Sequence, residues 1–228
     1  MQNTLAKYRA DYNENLADQS HNSLPAYKPF FFSVPNYRKT NEALESIITL
    51  PHSVFVEITP YNKNKKSFEY LWNNAPDFAL CVSTISCYTS NLAHIFANEI
   101  DSRFLLNGKK IMDITTCMQE AIMNSMFHGN LKMQSDFRTV KGLYAYQEEV
   151  KKRLILDYYR FSNINICAFN NGDSIKISIS DDGDGFSIPT YKEEDTLPNG
   201  RGLMIIKSLS NKVWISKDQK MLFMVFDI

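Results

Sequence analysis

The spacing of apolar residues changes near residue 163, and that change limits the chain to one broad architecture. Between about residues 92 and 161 apolar side chains recur every three or four positions, the period of helices with one buried face. "SNLAHIFANEI" carries Leu92, Ile95 and Phe96 in this way, with Ser90 as the expected N-cap. A second helix is expected from about Met112 to Phe127, burying Ile114, Met118, Ala121, Ile122, Ser125 and Met126, with Gly129 as its C-cap. In "LYAYQEEVKKRLILDYYRF" the stripe is Leu143, Tyr146, Val150, Leu154, Tyr158 and Phe161, and Glu148–Lys152 and Glu149–Arg153 are placed to pair on the outer face. From residue 163 the period is two. "INICAF" and "SIKISIS" alternate isoleucines with polar or small residues around the turn "NNGD", which predicts an antiparallel hairpin. A short helix, "GLMIIKSLSN", and two more strands, "KVWIS" and "MLFMVFD", complete the order. Helices followed by hairpin, helix and hairpin predict an α+β two-layer sandwich, an antiparallel or mixed sheet with its helices on one face.

This pattern covers residues 78–228, beginning with the strand "FALCVS". Residues 1–77 read as a separate small α/β region of unassigned role: a polar helix candidate, the turn-rich "HNSLPAYKP", a strand "FFFSV", a helix in "NYRKTNEALESII" and a strand in "SVFVEIT". The 25 basic and 25 acidic side chains balance, so no global field recruits nucleic acid or an anionic membrane. The N-terminal segment lacks the features of a signal peptide, and no apolar run approaches the roughly 20 residues needed to span a bilayer. Cys81, Cys87, Cys117 and Cys167 lack paired metal-ligand spacing and read as buried reduced thiols, as in a cytoplasmic protein.

Three segments carry the chemistry. In "EAIMNSMFHGN" Glu120, Asn124 and His128 stand four apart, each rotated about 40° from the last around a helix, so they form a polar stripe beside the apolar one. The Asn124 amide oxygen suits Mg²⁺, and a carboxylate one turn earlier suits a base; a solvent-facing amphipathic helix would carry the same residues, and His128 alone reads equally as a hydrogen-bonding or capping residue. In "SISDDGDGF" a strand ends in Asp181, with Gly183 and Gly185 allowing close backbone approach. An EF-hand would need an acid at Ser180 and Glu at Tyr191, and a dinucleotide fingerprint would need Gly at Ile188. A tight turn accounts for the glycines but not for the acid. In "PNGRGLMII" Gly200 and Gly202 precede a helix whose free amides, with Arg201, can hold a polyphosphate. The P-loop pattern occurs nowhere in the chain.

Together, and in this order, "E-x-x-x-N-x-x-x-H-G", "D-x-G-x-G-F" and "G-R-G-L" resemble the N, G1 and G2 boxes of the GHKL ATPase superfamily, the Bergerat ATP-binding fold. "EAIMNSMFHGN" and "GRGLMIIKSLSNKV" look most like the branch of anti-sigma-factor serine kinases and their histidine-kinase-like ATPase relatives. The resemblance implies ATP and Mg²⁺ as ligands. Asn124 would coordinate Mg²⁺ bridging the phosphates, Glu120 would be the general base, and Asp181 would accept from the adenine amino group. Gly183 and Gly185 would shape the purine pocket, and the backbone from Gly200 through Arg201 and Gly202 to Leu203 would meet the phosphates. Guanine would leave a buried Asp181 acceptor unpaired, a mismatch of roughly 1–3 kcal/mol, or about tenfold to a hundredfold in favour of ATP.

The chain departs from the family pattern in two places. The lid segment between Phe186 and Gly200 carries the acidic run Glu193, Glu194 and Asp195, unsuited to touching a polyphosphate, and the last strands lack the Thr that many members place near the adenine. A sensor histidine kinase needs an acceptor His on a preceding dimerisation hairpin, which the context of His94 does not supply. The resemblance therefore implies a cytoplasmic serine/threonine kinase that phosphorylates or sequesters a protein partner, a sigma factor or an anti-sigma antagonist, with homodimerisation as a family-level expectation. A catalytically silent ATP-binding module is the alternative, followed by a histidine-kinase catalytic domain acting on a separate protein.

Overall fold

The computed structural model describes residues 29–61, 75–106, 108–133, 140–185 and 201–228. The predicted polar N-terminal helix, most of "HNSLPAYKP", Gly200 and the acidic run at 193–195 lie outside these residues.

Seven strands form one mixed sheet: β1 (Phe30–Phe32), β2 (Val54–Glu57), β3 (Phe78–Ser83), β4 (Asn163–Asn170), β5 (Ser174–Asp181), β6 (Lys212–Ile215) and β7 (Met221–Asp227). Their spatial order is β1-β2-β3-β4-β5-β7-β6, with β1, β2 and β3 parallel and every other pair antiparallel. The α+β sandwich is therefore the architecture the sequence predicts. Strands from the first 77 residues continue the same sheet, because β2 pairs with β3 along Val54–Ala79, Phe55–Leu80 and Val56–Cys81.

The helices are α1 (Thr40–Ile48), preceded by a 3₁₀ turn at Tyr37–Lys39, then α2 (Thr84–Thr89), α3 (Leu92–Phe104), α4 (Gly108–Met123), α5 (Val140–Ile155), α6 (Asp157–Arg160) and α7 (Arg201–Leu209). They share one core with a single face of the sheet, in which Phe55, Phe78, Leu80, Ile164, Ile166, Ile177 and Leu222 meet Leu44, Phe96, Ile114, Met118 and Ile206. The alternate residues of β2 and β3, Val54, Val56, Ala79 and Cys81, are buried on the opposite face with Cys167. Burial on both faces is what makes these strands read as continuous apolar runs.

Three local expectations are corrected. Ser90 ends α2 rather than starting α3: its hydroxyl donates back to Ser86 O at 2.6 Å, and α3 is preceded by Asn91, whose backbone N–H is met by Asn41 Oδ1 of α1 at 2.6 Å. The long third helix breaks at Leu156, whose backbone is extended, so Leu143 and Tyr158 stay exposed while Val150, Leu154 and Phe161 are buried. Glu148 pairs with Lys151, three residues on at 2.8 Å, in place of Lys152, whereas the Glu149–Arg153 pair forms as predicted at 2.8 Å. On a helix surface both three- and four-residue spacings are within reach.

Candidate nucleotide site

Helix α4 is fixed by its apolar stripe. Ile114, Cys117, Met118 and Ala121 are fully buried against the sheet and the neighbouring helices, which leaves Glu120 and Asn124 half-buried at the edge of the core. After Met123 the helix widens. Asn124–Asn130 is π-helical, and Leu131 N donates to Met126 O five residues back at 2.8 Å. Such widening inserts a residue into the helical phase and recurs at functional sites. Here it ends the four-residue stripe at Asn124: His128 turns outward with Nδ1 2.9 Å from Met133 O, and Gly129 and Asn130 turn inward.

Gly129 is consequently not a C-cap. The helical conformation runs on to Leu131, and Gly129 is small because the strand end crosses it: a first side-chain carbon there would lie 2.4 Å from Asp181 Oδ1. Gly183 is equally confined, since its side chain would fall 2.6 Å from the Gly129 carbonyl. The helix that carries Glu120 and Asn124 thus touches the Asp181 loop through two bare backbones. Gly185 has φ +107° and faces Gln219 O of the β6–β7 turn, which packs the far side of that loop.

The third segment closes onto the first. Helix α7 packs against α4, and a side chain at Gly202 would place its first carbon 2.6 Å from Glu120 Oε2 and 3.3 Å from Asn124 Nδ2. Arg201 is exposed and Leu203 half-buried at the start of the same helix. The fold therefore brings together Glu120, Asn124 and Gly202 at one end and Asp181, Gly183 and Gly129 at the other. His128 stays outside this arrangement.

Polar satisfaction is uneven across the site. Among the described residues, neither the Glu120 carboxylate nor the Asn124 amide has a hydrogen bond or ion pair within the protein. Ser125, on the same helix, has a buried hydroxyl beside Asp181, close enough to lower the carboxyl's proton affinity but outside hydrogen-bond geometry with any of the described residues. It supplies near Asp181 a hydroxyl that the last strands lack. Burial raises the Asp181 carboxyl above the usual carboxylate range, and the Gly183 N–H, 2.9 Å from Oδ1, only partly offsets it. A raised carboxyl binds a proton in the folded state that the unfolded state has released, so this group costs stability as pH rises from the ordinary carboxylate range through the raised value. A ligand N–H aimed at Asp181 recovers part of that cost.

The Asp181 loop is anchored by residues without an obvious sequence signal. Asn130 Oδ1 accepts from Asp182 N at 2.9 Å, while its Nδ2 donates to Asn163 O at 3.1 Å and Thr84 Oγ1 at 2.9 Å. Asp182 Oδ2 in turn accepts from Asn163 N at 2.9 Å and Asn163 Nδ2 at 3.0 Å. Asn130→Ala removes all three of these bonds, at roughly 1 kcal/mol each, while Asp182 N keeps Asn163 O at 3.3 Å and Thr84 Oγ1 keeps Ser162 O at 3.0 Å. The expected result is a loss of about 3 kcal/mol by denaturant titration, accompanied by weaker nucleotide binding because the loop beside Asp181 is released.

The donor set fits a nucleotide-borne cation. Among the described residues no three His, Cys, Asp or Glu side chains converge on a metal position. One amide oxygen beside one carboxylate suits Mg²⁺ that brings its remaining oxygens from water and phosphate.

A mixed sheet backed by helices, with a polar helix face, a strand-end acid and a glycine helix start brought together over it, defines a nucleotide-binding module of the Bergerat type. The chain matches the family described as the histidine kinase-like ATPase domain over residues 86–226, and it belongs to that family of ATP-binding domains. No curated protein matches the chain. Among the described residues no helix is long and apolar enough to cross a membrane.

Proposed function

We propose that the protein binds Mg-ATP and transfers the γ-phosphoryl group to a serine or threonine hydroxyl of a protein partner, in the manner of the anti-sigma-factor kinases its motifs resemble. The observation that carries this reading is the placement of Glu120 and Asn124, neither with a hydrogen bond or ion pair among the described residues, against Gly202 at the start of α7. Pure nucleotide binding uses the amide; an unpaired carboxylate one turn away adds a proton acceptor.

In this reading Asn124 holds Mg²⁺, whose charge stabilises the phosphates, and the backbone from Gly200 to Leu203 lies along them. Glu120 takes the proton of the partner hydroxyl as its oxygen bonds to phosphorus and the bond to the bridging oxygen of ADP breaks. Asp181 accepts from the adenine amino group, with Gly183 and Gly185 shaping the purine pocket. The partner is a sigma factor or an anti-sigma antagonist, and the protein acts as a cytoplasmic homodimer; the four buried, free cysteines suit a reducing compartment.

The test is affinity capture from the host with and without ATP, followed by mass spectrometry of the retained protein. A retained protein that gains phosphoserine or phosphothreonine only with ATP and wild-type chain supports the reading. A partner retained in both conditions and never phosphorylated contradicts transfer and identifies sequestration instead.

A further inference from the structure

A second cleft lies outside the three motifs, where the 3₁₀ turn before α1 faces the ends of α2 and α6. It measures about 630 Å³ and is lined by Pro35, Asn36, Tyr37, Arg38, Thr89 and Arg160. None of these belongs to the candidate nucleotide site. The cleft is cationic: two guanidinium groups line it and no acid does.

Arg160 is the unusual member. Its guanidinium lies over the rings of Tyr37 and Phe161, each centroid 5.2 Å away, and its Nε is buried with no hydrogen-bond partner. No carboxylate among the described residues forms an ion pair with it. Glu57, behind Tyr37, is fully buried and already accepts from Ser83 N at 2.7 Å and Ser86 Oγ at 2.9 Å. Aromatic faces orient a guanidinium without accepting from its Nε–H, and a buried donor without an acceptor is uncommon enough to require an explanation.

We propose that this cleft is a binding site for a phosphate-class oxyanion. The planar forks of Arg160 and Arg38 match phosphate oxygens bidentately. Asn36 adds a third donor group to the cleft lining, because its Oδ1 is taken by Arg38 N at 3.0 Å and its NH₂ remains. Three donor groups suit the three terminal oxygens of a phosphomonoester better than the two of a carboxylate. The volume falls within the range of small-molecule sites, leaving room for an organic group beyond the phosphate.

The test is calorimetric titration of the full chain with inorganic phosphate, O-phosphoserine and acetate, repeated on Arg38→Ala and Arg160→Gln. Wild type should bind a phosphate probe, with acetate at least about tenfold weaker. Arg38→Ala should weaken phosphate binding about tenfold, and Arg160→Gln should abolish it, with melting temperature reporting whether each variant is folded. Tighter binding of O-phosphoserine assigns an ester, and tighter inorganic phosphate a free anion. No binding to wild type, acetate binding as tight as phosphate, or unchanged binding in Arg38→Ala overturns the proposal. Arg38 is exposed, so that variant decides the matter even where Arg160→Gln does not fold.

Discussion

Asn124→Ala is expected to abolish magnesium-dependent ATP binding while leaving the fold unchanged. The two effects separate because of how Asn124 is held. The helix beneath it is secured by Ile114, Met118, Ala121 and Ile122, all buried, whereas the Asn124 amide has no hydrogen bond among the described residues. Removing it breaks no internal hydrogen bond, so stability should change by no more than about 0.5 kcal/mol. The Asn124 amide stands with the Glu120 carboxylate beside Gly202. Outer-shell changes around a bound metal cost about tenfold to a hundredfold in affinity, and loss of a direct ligand should exceed that. Calorimetric titration with Mg-ATP checks the result. Binding unchanged from wild type would remove Asn124 from the site.

Glu120→Gln should give the opposite pattern, with ATP bound within a few-fold of wild type and phosphoryl transfer lost by about 10² to 10⁴. The substitution preserves shape, which matters because Oε2 lies against Gly202, where even one added carbon would sit 2.6 Å away. A glutamine fits the same space but cannot accept the hydroxyl proton. Single-turnover transfer to the captured partner is the readout. A variant that transfers at the wild-type rate would exclude Glu120 as the base.

Much of this was legible in the chain because local pattern and tertiary role agreed. The stripe Ile114, Met118, Ala121, Ile122, Ser125 and Met126 is buried in full, and "FALCVS" is β3 from its first residue to its last. The Asp181 strand end and the helix after Gly200 also fall where alternation and glycine punctuation put them. What escaped depended on contacts between distant segments. Short apolar runs such as "FFFSV" and "SVFVEIT" carry no sign of strand direction, so the parallel β1-β2-β3 edge and its continuity with the rest of the sheet had no local signal. The π-helical turn sets Gly129 against Asp181 and Gly183, residues more than fifty positions away. For the same reason Asn130 looked like one more polar residue after a helix, although it ties Asp182, Asn163 and Thr84 together.

The nucleotide site converges on Asp181, and base selectivity measures that convergence most directly. Wild-type protein titrated with Mg-ATP and Mg-GTP should prefer ATP by about tenfold to a hundredfold, because guanine offers an oxygen where the buried carboxylate needs a donor. In Asp181→Asn that preference should collapse towards equality, since the new amide can donate to guanine. Equal binding of the two nucleotides by wild type, or a preference unchanged in Asp181→Asn, would contradict the assignment of Asp181 as the adenine acceptor.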